Sequence, residues 1–516
     1  MVKENALAWA IIKDSFVDLA GDEEHSAPGV TMASPTVVLV PFCVPGHLTS
    51  MLDAGKRLLG SSGCPMSLTV LVTPMTMSAN LMSQVDDLAR REAESGFDIR
   101  FHHLPAVELP TKEHGAEEFI MRFIQLHEPY VKAAISGMSS PVAAVVLDYF
   151  GTTLLDVARE LALPAYVYFT SAASMLALML RLPALDEEVA GDLEAVEGAV
   201  DVAGLPPVPA GLMPEPLMKK DPNYASFVYH GRRFMEAAGI IVNTVAELEP
   251  AVLAAIAEGR CARAPRSNVY PIGPVLSFKP PGEQQHECVS WLDAQPPASV
   301  VLLCFGSMGG SFPSPQVRAI ADGLERSGHR FMWVLRGPPP AGSPYPTDAD
   351  VHELLPEGFR ERTKDRGFVW PKWVPQKDIL ASAAVGGFVT HCGWNSILES
   401  LWHGVPMAPW PLYAEQHLNA FELVSVMGVA VGMEVDRKRG NFVEAAELER
   451  AVRSLMGGGS EEGRKAREKA AEAKALCRKA VEDGGSSDVS MQKLAREICA
   501  KHSTQGCEAA GAMRSD

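Results

Sequence analysis

Along most of the chain, short unbroken apolar runs alternate with longer stretches in which apolar positions recur at helical spacing. Residues 37–42 (VVLVPF) form a largely β-branched run that ends before a Pro45-Gly46 turn, and the amphipathic stretch 47–59 follows. A run without polar positions predicts a strand buried on both faces, as in a parallel sheet. The alternation continues with strand candidates at 68–73, 142–147, 165–169 and 239–243, separated by helical stretches such as 115–134 and 152–161. It stops between residues 264 and 296, where Pro265, Pro271, Pro274, Pro280 and Pro281 break any regular period. It restarts with strands at 300–305, 331–335, 368–370, 387–390 and 405–409 and a helix at 315–327. Such alternation on both sides of a Pro-rich break predicts an α/β fold. Two Rossmann-like, doubly wound parallel-sheet domains would face each other across a cleft, with ligands at the carboxyl ends of their strands.

The expected boundaries are a first domain at 34–268, a linker at 269–296 and a second domain at 297–482. A closing helix at 483–502 is placed to pack back on the first domain, and a small, polar, unstructured tail is expected at 503–516. Residues 1–33 read as a disordered extension outside the fold. The acidic stretch 186–201 reads as a solvated loop, and 457–482 as a charged helix.

Composition narrows the function. Lys and Arg total 46 against 63 Asp and Glu, a formal charge of -17. That field repels nucleic acid and anionic membranes, so a phosphate-bearing ligand needs a local site of backbone N–H groups and a few donors. The nine cysteines are scattered without one C-x-x-C pair, which predicts a reducing compartment and no structural zinc. The N-terminal apolar run, residues 6–12, is flanked by Lys3, Glu4, Lys13 and Asp14 and followed by no small-residue cleavage site, which speaks against a signal peptide, and no run reaches the roughly 18 to 20 apolar residues that span a bilayer. A soluble cytoplasmic protein, without stable membrane insertion, is the expectation.

The most informative stretch is 373–416, WVPQKDILASAAVGGFVTHCGWNSILESLWHGVPMAPWPLYAEQ. It reads as a short helix, a strand ending at Thr390, a His391-Cys392-Gly393 turn and a helix from Trp394 to His403. A helix N-terminus after a strand offers unpaired N–H groups and about half a positive charge, and His391, Asn395 and Ser396 add donors around it. That is a seat for a pyrophosphate. Glu399 lies on the same helical face and suits a ribose diol, with Gln376 in reach of it; Trp373 offers a flat face to a base. Trp373 and Trp394 also read as plain core aromatics.

This ungapped 44-residue segment resembles the signature box of plant-type UDP-sugar-dependent glycosyltransferases that act on small lipophilic acceptors, and the resemblance extends over about residues 34–500. It implies the two-Rossmann-domain glycosyltransferase fold (GT-B type). It also implies that Trp373 stacks on uracil, that the backbone of Val374 pairs with the base edge, and that Gln376 and Glu399 hold the ribose. Ser307 resembles the family's phosphate-contacting serine, acting with His391, Asn395 and Ser396. Trp394, Glu415 and Gln416 match sugar-contacting positions, and Thr170 matches a position near the sugar and its β-phosphate. Gln416 at the end of the box resembles users of UDP-glucose.

A second site is suggested by Pro45-Gly46-His47 after the first strand. Sugar transfer to a hydroxyl requires a proton acceptor, and an imidazole with an ordinary pKa near about 6.5 serves at neutral pH. Asp148 ends strand 142–147 at the equivalent edge, where it reads either as the orienting carboxylate or as an ordinary helix cap. The resemblance assigns His47 as general base and Asp148 as its partner. Tyr149, Phe150 and the apolar stretch 171–182 are the acceptor-side candidates.

The implied activity is an inverting transfer of glucose from UDP-glucose to a hydroxyl of a flavonoid-like or other phenolic, lipophilic small molecule, forming a β-glucoside. No cofactor and no metal are expected, and the partners are the UDP-sugar and the acceptor, with the chain a monomer. A catalytically silent nucleotide-sugar binder is the alternative, argued against by the presence of both His47 and Asp148. An NAD-dependent oxidoreductase would need a Gly-rich turn after the first strand, where residues 43–47 supply one glycine. Asp348-Ala349-Asp350 has the spacing of a metal-binding D-x-D but follows a Pro-rich loop, so it reads as a helix cap.

Overall fold

The computed structural model describes residues 34–512 apart from residues 62, 76–78, 111–114, 263–267, 277–285, 342 and 344. The expected extension at 1–33 lies outside the described residues.

Seven parallel strands make the first sheet: β1 (Thr36–Val40), β2 (Ser67–Val72), β3 (Ile99–His103), β4 (Val142–Asp148), β5 (Ala165–Phe169), β6 (Gly239–Val242) and β7 (Val269–Pro271). Their order is β3-β2-β1-β4-β5-β6-β7. Five parallel strands make the second: β8 (Val300–Cys304), β9 (Arg330–Val334), β10 (Gly367–Trp370), β11 (Val385–Thr390) and β12 (Met407–Pro409), in the order β10-β9-β8-β11-β12. Strands such as TVVLV and VVLLC are buried along their whole length, because each sheet is covered by helices on both faces. In both sheets the chain runs outward from a central strand and then returns to that strand's other side. Ligands bind where such an order reverses. The reversals lie between β1 and β4 and between β8 and β11.

The helices that matter for the site start at the carboxyl ends of strands. They are α1 (Pro45–Ser61) after β1, α2 (Ala173–Glu188) after β5, α3 (Gln376–Leu380) after β10, α4 (Trp394–His403) after β11 and α5 (Gln416–Ser425) after β12. In α1, Leu48, Met51, Leu52 and Leu58 are buried, the spacing of one apolar helical stripe. The last helix, α6 (Ser486–Ala512), returns to the first sheet. There Met491, Leu494, Ala495 and Ile498 share a core with Val37, Leu39 and Leu68, and Tyr270 donates to Glu497 at 2.6 Å.

Several elements depart from the sequence pattern for identifiable reasons. The stretch 115–134 is two helices, Ala116–Leu126 and Glu128–Ser136, because Pro129 in the first turn of the second cannot continue a preceding helix. The expected linker holds two regular elements. Strand β7 completes the first sheet, and the helix Glu287–Asp293 buries Cys288, Val289 and Leu292 in the core of the second. The acidic stretch is not wholly a loop: α2 runs through Glu188, Leu193 is buried, and Ala199–Val200 pairs with Val208–Pro209. The polar tail continues α6 to Ala512, where unstructured chain was expected. Strand β3, IRFHH, escaped the pattern because it is a half-exposed edge. Asp350 caps the helix Val351–Leu354 through the N–H groups of His352 and Glu353, so the D-x-D spacing is spent as a cap.

Candidate active site

The two reversal points bring together most of the residues singled out in the sequence. At the first, parallel register pairs Val40 with Leu147, so the turn after β1 lies beside the end of β4. His47, in the first turn of α1, places Nδ1 2.8 Å from Oδ2 of Asp148. Asp148 is fully buried and its carboxylate is saturated with donors. It also accepts from the N–H of Phe42 at 3.3 Å and of Phe150 at 3.1 Å. Asp148 therefore both bonds His47 and caps the turn that follows. Burial by itself would lower the imidazole pKa, but the charge and hydrogen bond of Asp148, with Glu415 adding to them, outweigh it and the net shift is upward. With Nδ1 held, Nε2 is the nitrogen left for chemistry.

The walls around His47 are aromatic. Phe42 meets the imidazole edge-on with centroids 5.8 Å apart, Phe150 stacks at 5.8 Å and Tyr149 lies at 5.7 Å. Burial and the nearby carboxylates, Glu415 foremost, push the Tyr149 hydroxyl well above its ordinary pKa, so it stays neutral.

At the second point β8 and β11 are neighbours, with Cys304 opposite Thr390. The turn at Cys392 adopts a left-handed conformation (φ 66°) and leads into α4, whose N-cap is Gly393. Gly393 has no side chain to cap with, and the N–H groups of Trp394, Asn395 and Ser396 precede the first intrahelical bond, from Ile397 N–H to the Gly393 carbonyl. His391 fills the space that side chains at Gly306 and Gly393 would occupy, since a Cβ there would lie 2.6 and 2.5 Å from its Nε2. Its burial lowers the pKa to about 4, so the ring is neutral.

Among the described residues, buried polar atoms without a partner near the start of this helix include Nδ1 of His391, Oδ1 of Asn395 and Oε1 of Gln376. Buried polar atoms are almost always paired, so a cluster of orphans at one helix N-terminus marks a place where a polar ligand completes the bonding. Gln376 donates to Ser396 at 2.8 Å and to Glu399 at 2.7 Å, tying α3 to α4. Burial raises the pKa of Glu399, and the bond from Gln376 opposes that. Val374 is buried, whereas Trp373 is 57% exposed and Ser307 is exposed beside the sheet end. Gln416 is buried with Oε1 held by the N–H groups of Leu412 (2.9 Å) and Tyr413 (3.1 Å), and Glu415 accepts from Ser171 at 2.9 Å.

The two points meet. Asn395 Nδ2 reaches the carbonyl of Gly46 at 3.4 Å, so the start of α4 lies one residue from His47 along the chain. Thr170, at the end of β5, is 9% exposed and precedes Ser171.

The chain is similar to known proteins over most of its length. Residues 268–460 match the family model described as UDP-glucoronosyl and UDP-glucosyl transferase. Over 481 residues, 92% of the chain and all of the relative, it is 60% identical to malvidin galactosylase UGT88C3 of Oryza sativa subsp. japonica. It is 39% identical over 475 residues, 90% of the chain and 99% of the relative, to anthocyanidin 5,3-O-glucosyltransferase of a Rosa hybrid cultivar. The chain belongs to the UDP-glycosyltransferase family. The solved structure of Phytolacca americana UGT2 with UDP-2fluoro-glucose and pterostilbene superposes with a TM-score of 0.77 at 33% identity, covering 90% of this chain and all of that one. The fold of this glycosyltransferase is thus the two-Rossmann-domain GT-B type.

One predicted contact of the glycosyltransferase needs restating. The Trp394 ring is 3% exposed, and its indole N–H donates to the carbonyl of Asn243 at 2.6 Å, so the side chain braces the two lobes. The backbone N–H of Trp394 is one of those that open α4 ahead of the first intrahelical bond. The roles of two residues went unnoticed in the sequence: Phe42, and Ser171, read there only as the first residue of the acceptor-side stretch 171–182. Phe42 holds Asp148 through its backbone, which strand register alone would have revealed. Ser171 binds Glu415, but nothing in a lone serine beside Thr170 signals a partner far along the chain. Among the described residues no three His, Cys, Asp or Glu side chains gather as metal ligands. No described helix is long and apolar enough to cross a membrane.

Proposed function

We propose that the glycosyltransferase moves glucose from UDP-glucose to a phenolic hydroxyl of a flavonoid-like acceptor, with inversion at the anomeric carbon. One observation carries this reading: an imidazole held by a buried carboxylate and an uncapped helix N-terminus with unpaired polar atoms around it are joined by the Asn395–Gly46 contact. His47 Nε2 takes the proton from the acceptor oxygen as that oxygen attacks the anomeric carbon opposite UDP, so an α-linked sugar leaves as a β-glycoside. Asp148 stabilises the imidazolium. The amides of Trp394, Asn395 and Ser396, with His391 and Ser307, stabilise charge growing on the diphosphate. That donor set supports transfer without a metal or other cofactor. Trp373 stacks on the uracil, Val374 pairs with its edge through the backbone, and Gln376 with Glu399 holds the ribose. Thr170, Glu415 and Gln416 contact the sugar, and Tyr149 and Phe150 line the acceptor side.

Malvidin, anthocyanidin and pterostilbene, in the names of the relatives and the structural neighbour, support a polyphenol as acceptor. Gln416 favours the gluco donor. The rice relative's galactosylase name favours a second reading, UDP-galactose as donor. Buried cysteines in no disulfide, such as Cys43, Cys304 and Cys392, support work in the cytoplasm, and we read the active form as a monomer.

The test is a panel of polyphenol acceptors against UDP-glucose and UDP-galactose, with and without EDTA. Transfer from UDP-glucose is expected at an unchanged rate in EDTA; UDP-sugar binding without turnover on any acceptor would contradict the reading. Trp373→Ala removes a base-stacking surface, a contact of about 1–3 kcal/mol. Titration calorimetry is expected to show UDP binding weakened by about tenfold or more, while an unchanged Kd would move the uracil elsewhere.

A further inference from the structure

We propose that Ser171 is a positioning residue for donor-sugar selectivity: by fixing the carboxylate of Glu415 from across the cleft, it sets how strictly the enzyme separates sugars that differ at one hydroxyl. The proposal rests on the donor-site reading above and deepens it.

Three bonds from the first lobe grip α5 and the turn that leads into it. The N–H of Glu215 donates to the carbonyl of Ala414 at 2.9 Å, Ser171 Oγ donates to Glu415 Oε1 at 2.9 Å, and Ser174 Oγ donates to Glu422 Oε2 at 2.6 Å. Glu415 and Glu422 are seven residues apart, about two helical turns, so the contacts fall on one side of α5. The serines are themselves anchored. The N–H groups of Ala173 and Ser174, at the start of α2, donate to Glu249 at 2.9 and 2.7 Å, and Glu249 also accepts from Thr244. Ser171 is 7% exposed, so its hydroxyl has little room to leave.

The turn before Glu415 carries strain. Ala414 sits in the left-handed region at φ 52°, where a residue with a Cβ stays only if its surroundings hold it. The Glu215 and Ser171 bonds are such a hold. Beside it, buried Gln416 has its amide oxygen locked by the N–H groups of Leu412 and Tyr413, which fixes the plane of its side chain. Glu415 in the same way keeps one carboxylate oxygen on Ser171 and has the other for a sugar hydroxyl.

Orientation of that carboxylate is what separates epimers. A carboxylate free to rotate follows a hydroxyl in either configuration, whereas one pinned at a single oxygen accepts along a narrow set of directions. Sites that hydrogen-bond a substrate hydroxyl in a fixed geometry discriminate far more strongly than apolar contacts do. Ser171 supplies the pin from the acceptor lobe, so sugar recognition on the donor side depends on a hydroxyl that neither the signature box nor the second sheet contains.

The experiment compares the full chain with Ser171→Ala and Ser171→Thr, measuring kcat/KM with UDP-glucose and UDP-galactose and, by calorimetry, the Kd of UDP and of each UDP-sugar. In Ser171→Ala the ratio of kcat/KM for the two sugars is expected to shift toward one by about tenfold, the size of one hydrogen bond to a charged group. The affinity gap between UDP-sugar and UDP should narrow while the Kd of UDP stays constant, and Ser171→Thr, which keeps the hydroxyl, should restore the ratio. A ratio and an affinity gap unchanged in Ser171→Ala would overturn the proposal, as would UDP-sugar and UDP weakening together. The calorimetric gap needs no turnover, so it decides the role of Ser171 even if the catalytic reading fails; failure to bind UDP at all would sink both.

Discussion

Replacing His47 with alanine is expected to lower kcat/KM by at least about a hundredfold, the low end of what a positioned general base contributes, with the Kd of UDP-glucose nearly unchanged. The split follows from geometry. Asp148 holds Nδ1 of His47 and leaves Nε2 for the proton, while the proposed diphosphate seat lies on another element, the start of α4. The loss should also depend on pH. Only the neutral imidazole accepts a proton, and Asp148 and Glu415 raise its pKa above the ordinary value despite burial. In the unmodified enzyme kcat/KM therefore falls as pH drops through that raised value, on a limb above about pH 6.5. The alanine variant has no imidazole to titrate, so the limb should vanish. An alanine variant that turns over at the native rate would remove His47 from the mechanism.

Asp148→Asn is expected to be at least comparably damaging, on the order of a thousandfold in kcat, although it changes one oxygen to an amide nitrogen. The carboxylate accepts from His47, Phe42 and Phe150 and donates to none. An amide has one oxygen for those three donors and brings two N–H groups of its own. Whichever way it turns, an N–H meets a donor or faces Nδ1 of His47. In the second arrangement the imidazole carries its hydrogen on Nε2, the nitrogen that must be bare to act as base. The variant also loses the charge that raises the imidazole pKa, leaving burial to lower it, so the remaining acid limb should move to lower pH. The check is a pH–rate profile beside thermal unfolding, since the orphaned N–H groups of Phe42 and Phe150 will cost stability too. A limb left in place with native kcat would show that Asp148 serves only as the cap.

How much of this was legible in the sequence depends on the range of the interaction. The strands ending in His47's turn and in Asp148 were visible because a doubly covered strand must be apolar along its length. The α4 site was visible because strand, turn and helix are contiguous there. Register-dependent contacts were not legible: Phe42 serves Asp148 through a backbone N–H, which leaves no mark in residue type. Lobe-crossing contacts were hidden for the same reason. Ser171 with Glu415, Trp394 with Asn243 and Asn395 with Gly46 pair residues 244, 151 and 349 positions apart. Trp394 shows the consequence most clearly, since an indole placed in a signature box reads as a ligand contact until the lobe that buries it is present. Proline punctuation misled in the other direction, because β7 and the helix Glu287–Asp293 form where Pro265, Pro271, Pro274 and Pro280 suggested unbroken linker. Short elements docked on an existing sheet tolerate prolines that an isolated element would not.

The account stands most directly on where the diphosphate lies, and a crystal structure of the enzyme with UDP bound measures it. The β-phosphate oxygens should sit about 3 Å from the N–H groups opening α4 and from His391, with His47 Nε2 on the far side of an open space the size of one sugar. A diphosphate bound away from α4, or His47 cut off from it by packed protein, would contradict the account.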